Sequence, residues 1–256
     1  MSLADLARGT PAGAPPSGAW DGDEYLVLAD VDRMPPFLMS LPSDSDLWTF
    51  VSSAGGLTAG RVSPEQALFP YVTVDLLHDA HHTTGPITLL RVTRPGAAPV
   101  LWQPFATPGE PGPGVRRSLW KSVTGDRLVF DERHEGLGLS LRCRWGTCDP
   151  FGHVRTVWLA NLRDEPVRVE ILDGLRQVLP AGAPLSLYQH SSALVDAYKR
   201  NECDPATGLA VFSLTSRITD RAEPGEMLRA NVAWTHGLPR AAVSLSAEAI
   251  AAFRRG

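Results

Sequence analysis

Four groups of residues in this chain have types and spacings that could do chemistry: clustered histidines, paired carboxylates, a glycine run and a set of tryptophans. His78, His81 and His82 lie within Leu-His-Asp-Ala-His-His. A zinc site needs three or four ligands converging at about 2 Å. This run falls between strands and ahead of Thr83-Thr84-Gly85-Pro86, so a solvated loop is expected, with no metal or other cofactor. His134, His153, His190 and His236 fall on separate elements, and no carboxylate partner is marked for any of them. Asp44 and Asp46, in Ser-Asp-Ser-Asp, have the residue type of a glycosidase pair, but they sit ahead of a strand where turn and cap roles are expected. Ala54 to Arg61, Ala-Gly-Gly-Leu-Thr-Ala-Gly-Arg, could approach a phosphate through backbone amides. It lacks the Gly-Lys-Ser/Thr ending of a P-loop, and a tight turn is its minimum role. Neither a Gly-x-Ser-x-Gly elbow nor a marked cysteine nucleophile is present. Trp48, Trp102, Trp120, Trp145, Trp158 and Trp234 all fall in expected strands. Their faces could stack on sugar rings, although packing between sheets is the commoner use.

The elements that must position these residues read as strands. Leu137, Leu139, Leu141, Cys143 and Trp145 alternate with Gly138, Ser140, Arg142 and Arg144, as a strand with one buried face requires. Further strands are expected near 47–53, 87–93, 99–103, 116–123, 126–133, 153–162, 166–173, 208–216 and 226–235, parted by turn residues such as Asp149-Pro150 and Glu223-Pro224-Gly225. Helices are expected at 185–200 and 246–255. The second has Ser246 as a cap, Glu248 in its first turn, and Arg254 and Arg255 in its last. The fold class that follows is mainly β: a large antiparallel β-supersandwich with one or two short helices. Residues 1–24 read as a flexible Pro/Gly/Ala leader, 25–240 as the sandwich, and 241–256 as a helix and linker.

Composition sets the outer limits. The chain has 256 residues, 43% hydrophobic and 20% charged, with a net charge of -4. Disorder throughout is excluded, and no apolar run approaches the roughly 20 residues of a membrane span. The mild acidity offers no basic face to nucleic acid. Cys143, Cys148 and Cys203 are too few and too oddly spaced for a disulfide framework, so reduced thiols are expected; residues 2–19 read as no export signal, so a cytoplasmic location is expected.

Three blocks resemble a known family. Asp46-Leu47-Trp48-Thr49-Phe50-Val51-Ser52-Ser53-Ala54-Gly55-Gly56-Leu57-Thr58 resembles the opening of the inverting disaccharide phosphorylases, the group of cellobiose and chitobiose phosphorylases and cyclic β-glucan synthase modules. Pro99-Val100-Leu101-Trp102-Gln103-Pro104 is similar to that family's Trp-x-Pro segment. Residues 154–169, with Asn161 and Pro166 between two strands, are similar to its hairpin. The resemblance covers roughly residues 34–235, and the chain departs from the family at Ser53, at Leu57 and across Pro64 to Tyr71.

The resemblance implies the N-terminal, galactose-mutarotase-like β-supersandwich of a phosphorylase-like protein acting on β-linked oligosaccharides. In the family the general-acid aspartate lies in a C-terminal (α/α) barrel, for which this chain leaves no room after residue 235. An accessory domain inactive alone is therefore expected, with an oligosaccharide and the catalytic barrel as partners and a homodimer left open. Ser53, Gly55, Gly56, Arg61, Trp102 and Trp120 are the candidates for the sugar site or domain interface. One alternative is a mutarotase-like epimerase using His134 or His153 with Glu132 or Glu170. The other is a carbohydrate-binding module using exposed aromatics such as Trp120 or Tyr71.

Overall fold

The computed structural model describes residues 17–106, 112–219, 225–238 and 241–256. They form fifteen strands and three α-helices in a mainly β, antiparallel arrangement. One six-stranded sheet runs β1 (Ser17–Trp20), β2 (Asp23–Ala29), β8 (Val115–Ser122), β9 (Leu128–His134), β10 (Leu139–Cys148) and β11 (Gly152–Asn161) in spatial order. Two three-stranded sheets pack opposite it. One is β3 (Leu38–Leu41), β4 (Leu47–Ser52) and β5 (Leu57–Arg61); the other runs β12 (Arg168–Arg176), β6 (Gly85–Thr93), β7 (Val100–Trp102).

The alternation along β10 sets the main core. Leu139, Leu141, Cys143 and Trp145 are buried and meet Leu119 of β8 and Phe130 of β9 on one side of the core. Leu41, Val51, Leu57, Leu90, Val92 and Trp102 close it from the two smaller sheets. Each fully buried leucine contributes about 1.5–3 kcal/mol relative to exposure. The two layers are also tied by polar groups. Arg155 of β11 donates to Asp173 Oδ2 at 2.7 Å, to Thr88 Oγ1 at 2.8 Å and to Cys143 Sγ at 3.0 Å.

A second, smaller core lies elsewhere. Helix α2 (Leu185–Tyr198) covers a sheet of β13 (Lys199–Cys203), β14 (Ala210–Leu214) and β15 (Ala230–Ala233) through Ala183, Val195 and Leu214. The expected helix at 185–200 is thus present to Tyr198, with a break at Ser191 (φ -147°), and its last two positions belong to β13. Helix α3 (Glu248–Arg255) starts two residues later than expected, and the Glu248 N–H donates to Ser246 Oγ at 3.1 Å. It lies back on β6, where Arg91 donates to the Phe253 carbonyl and stacks 4.8 Å over its ring.

Two expectations need correction. Residues 17–24, assigned to the leader by composition, are the β1–β2 hairpin, whose Trp20 packs on the larger sheet; residues 1–16 lie outside the described residues. The histidine run is not a loop. It ends helix α1 (Val74–Asp79) and continues as a 3₁₀ turn over Ala80–His82. Arg176 holds that end in place, donating to the carbonyls of His82 at 2.5 Å and His81 at 2.6 Å. A cation on terminal carbonyls is favourable because they carry the negative end of the helix dipole. Among the described residues, no helix is long and apolar enough to cross a membrane.

Candidate functional site

The six candidates from the sequence do not converge. Ser53, Gly55 and Gly56 form the β4–β5 turn. Ser53 Oγ accepts from the Phe37 N–H at 3.0 Å, and Gly55 takes φ 97°, which glycine adopts without strain. A Cβ on Gly56 would stand 1.9 Å from the Leu77 carbonyl oxygen, so the glycine is there to let α1 lie on the turn. The run is a packing device and no phosphate cradle. Arg61, at the other end of β5, makes a two-pronged pair with Asp46 at 2.7 and 3.1 Å on the surface, which holds Asp46 below the usual carboxylate range. Trp102 is 5% exposed and donates its indole N–H to Glu132 Oε1 at 2.8 Å inside the core, leaving no face for a ligand.

Trp120 lies on the outer face of the six-stranded sheet in an interleaved stack. Arg142 sits 4.5 Å from its ring centre and 5.2 Å from that of Trp20; Arg144 sits 5.6 Å from Trp20 and 5.0 Å from Trp158. Asp131 at 3.2 Å and Asp21 at 2.5 Å anchor the two guanidinium groups. Cation–π stacking occupies the ring faces, so these tryptophans are not an open platform for sugar C–H surfaces. The stack holds the N-terminal hairpin on the sheet.

The acid–base alternatives are also tied up. Glu132 is 1% exposed, and its carboxylate accepts from Trp102, from the Phe105 N–H at 2.8 Å and from Arg117 at 2.7 Å. Glu170 pairs with Arg91 and Arg168. His134 packs edge-on to Trp102 and accepts from the Leu137 N–H at 3.3 Å. His153 accepts from Thr49 Oγ1 at 3.1 Å, donates to the Gly60 carbonyl at 3.4 Å, and is pushed below its ordinary pKa by burial. Neither histidine meets a carboxylate among the described residues. His78 Nδ1 lies 2.7 Å from Ser52 Oγ, and the His81 and His82 ring centres are 3.6 Å apart with the planes tilted by 45°. No group of three metal-ligating side chains forms among the described residues. All three cysteines are free, and burial pushes the Cys143 thiol up.

What the structure does assemble is a cleft of about 220 Å³ between the 64–71 segment and α2. Pro64, Pro70, Tyr71, Leu185, Tyr188 and Gln189 line it. Tyr71 is 39% exposed and stands edge-to-face with the half-buried Trp48 at 5.8 Å, which fixes the angle of the ring at the cleft. The Tyr188 hydroxyl and the Trp48 indole N–H are buried without a hydrogen-bond partner among the described residues. Burial, and then the charge of Asp196, pushes the Tyr188 phenol well up, so it stays protonated as a donor. An unmet buried donor costs about 1–3 kcal/mol. Of the residues singled out in the sequence, Tyr71 and Trp48 belong to this place. Tyr188 and Gln189 carry no signal beyond helical spacing, and only the packing of α2 against the 64–71 segment brings them in. No family model and no curated protein matches the chain.

Proposed function

We propose that the chain is a non-catalytic domain of a carbohydrate-active, phosphorylase-like protein, and that it holds one sugar unit of an oligosaccharide in the Tyr71–Tyr188 cleft beside a catalytic (α/α) barrel. The observation that carries the reading is the wall of two tyrosine and two proline rings with the exposed Gln189 amide next to them. Apolar ring surfaces suit the C–H face of a pyranose, and an amide can both donate to and accept from its hydroxyls. The cleft is smaller than the roughly 300–1,000 Å³ of sites that bury a drug-sized ligand, which fits a single ring better than a disaccharide. Two further observations support a binding role over a catalytic one: Glu132 has its oxygens engaged by three donors, and neither His134 nor His153 has a carboxylate beside it.

Isothermal titration with cellobiose, laminaribiose and chitobiose tests the reading. At least one is expected to bind weakly, with a Kd on the order of 0.1–1 mM, corresponding to about 4–5.5 kcal/mol. Tyr71→Ala, at a half-exposed position, should abolish the signal and leave the melting temperature nearly unchanged. Flat titrations for all three sugars, or binding indifferent to Tyr71→Ala, would overturn it. Acceleration of glucose or galactose mutarotation by the pure chain would favour the epimerase reading instead.

A further inference from the structure

The end of helix α1 crowds groups that cannot all be cationic at once. The ring centres of His81 and His82 are 3.6 Å apart. His81 is half-buried, and its Nδ1–H donates to the His78 carbonyl at 3.2 Å. That bond fixes the neutral tautomer and leaves the lone pair on Nε2, which is buried and meets no hydrogen-bond partner among the described residues. A second proton would enter the ring at Nε2 and find no acceptor there. From β12, the Arg176 guanidinium lies across the same turn, donating to the carbonyls of His82 at 2.5 Å, His81 at 2.6 Å and Pro86 at 3.0 Å. Arg254 of α3 stands near enough to Arg176 to work against its charge. Little offsets these cations. Asp79, the carboxylate that acts on His81, is exposed; the β4–β5 turn presents Gly55 and Gly56; and His78 spends its Nδ1 on Ser52 Oγ. The last carbonyls of a helix ordinarily favour a nearby histidinium, but here Arg176 already holds them. Burial, then the neighbouring His82, push His81 below its ordinary range.

We propose that this end of α1 is an acid-operated latch: residues 74–82 stay seated on the β4–β5 turn while both imidazoles are neutral, and lift from the turn and from Arg176 when His81 takes up a proton. The seat is small enough for one charge to matter. Leu77 is the one residue that the six-residue helix buries, and so short a helix has little stability of its own. Lifting gives the His81 cation water in place of an orphaned site and moves it away from Arg176. The direction follows from linkage. A histidine whose pKa is depressed in the closed state favours closure fully above its ordinary 6.5, and that preference is lost as pH falls towards the lower closed-state value, because opening then takes up a proton. The latch needs no ligand in the Tyr71–Tyr188 cleft and stands apart from the sugar reading.

Amide hydrogen exchange of the full chain at pH 7.5 and pH 5.5, corrected for the intrinsic pH dependence of exchange, tests it. Protection over residues 74–84 should fall about threefold or more at the lower pH, beyond any change in β9 and β10. The excess should persist in His153→Gln, which separates it from titration of the core histidine. In His81→Gln it should vanish, with protection at pH 7.5 retained. A ring titration of His81 by nuclear magnetic resonance guards against a variant that is already open: its midpoint should lie below 6.5 and coincide with the loss of protection. Equal corrected protection of 74–84 at the two pH values overturns the proposal. So does a full pH response in a closed His81→Gln variant, or a His81 midpoint at or above 6.5.

Discussion

At the residue scale, the side chains with the most reactive chemistry are those the structure uses as fasteners. Glu132, Asp173 and Arg155 look like active-site material in a list of residue types, yet Glu132 is engaged from the neighbouring strand and Arg155 and Asp173 by each other across the two layers. His153 is the clearest case with a consequence in solution. Both ring nitrogens are engaged by neutral groups, and burial lowers its pKa from the ordinary 6.5. A histidine depressed in the folded state contributes stability that is present above its unfolded pKa. That contribution is lost as pH falls from about 6.5 towards the lower folded value, because unfolding then takes up a proton. Unfolding free energy measured in urea should therefore drop between pH 7 and pH 5. In His153→Gln, whose amide can still meet Thr49 and Gly60, the slope over that window should flatten. An equal slope in the two proteins would mean that His153 does not titrate as a buried neutral ring.

At the element scale, the strands were legible wherever alternation is strict. Leu139 to Trp145 of β10 present one apolar face, and a strand is the element that buries such a row; the Val167-Val169-Ile171 row leading into β12 marks a strand as well, with Val167 and Val169 half-buried and Ile171 exposed. The elements not legible are those whose reason lies in another part of the chain. Strand β5, Leu-Thr-Ala-Gly-Arg, reads as a glycine-rich loop; it is a strand because β4 pairs with it and four of its five residues are buried. Strand β1, Ser-Gly-Ala-Trp, reads as leader because the Arg142 and Arg144 groups that hold Trp20 lie more than a hundred positions away. Helix α1, only six residues long, reads as a solvated loop, because what holds it is the β4–β5 turn and Arg176 rather than its own spacing. Its seat on the β4–β5 turn yields a prediction. Gly56→Ala drives a methyl into the Leu77 carbonyl and should cost about 2–3 kcal/mol, with faster hydrogen exchange in 74–82 before the rest of the chain. Gly146→Ala, where the nearest atom is 3.7 Å away, is the matched control and should cost much less.

At the scale of the whole molecule, two layers must agree on one register, and Arg155 is where that agreement is enforced. It reaches from the edge of the six-stranded sheet to Asp173 and Thr88 on the facing sheet, with a side chain only 10% exposed. Arg155→Ala should destabilise the chain by about 2–4 kcal/mol, since the Asp173 carboxylate loses its paired cation and keeps only the Thr88 hydroxyl as a donor. A double-mutant cycle with Asp173→Asn should return a coupling of about 1–3 kcal/mol; a coupling near zero would show that the sheets are held by apolar contact alone. The amino-acid sequence by itself determined the class: mainly β, antiparallel, one long apolar-alternating strand, and helices expected at 185–200 and 246–255 that the structure places at 185–198 and 248–255. These follow from periodicity and capping, which act over a few residues. Only the tertiary structure decided which functional candidates share a place. It sent Trp102 into the core and Trp120 into a stack with arginine, and it brought Tyr71 to Tyr188 across a cleft. The physical reason is that a binding site is made by long-range packing, in which the partner of each side chain is set by the fold and leaves no trace in the spacing of its neighbours.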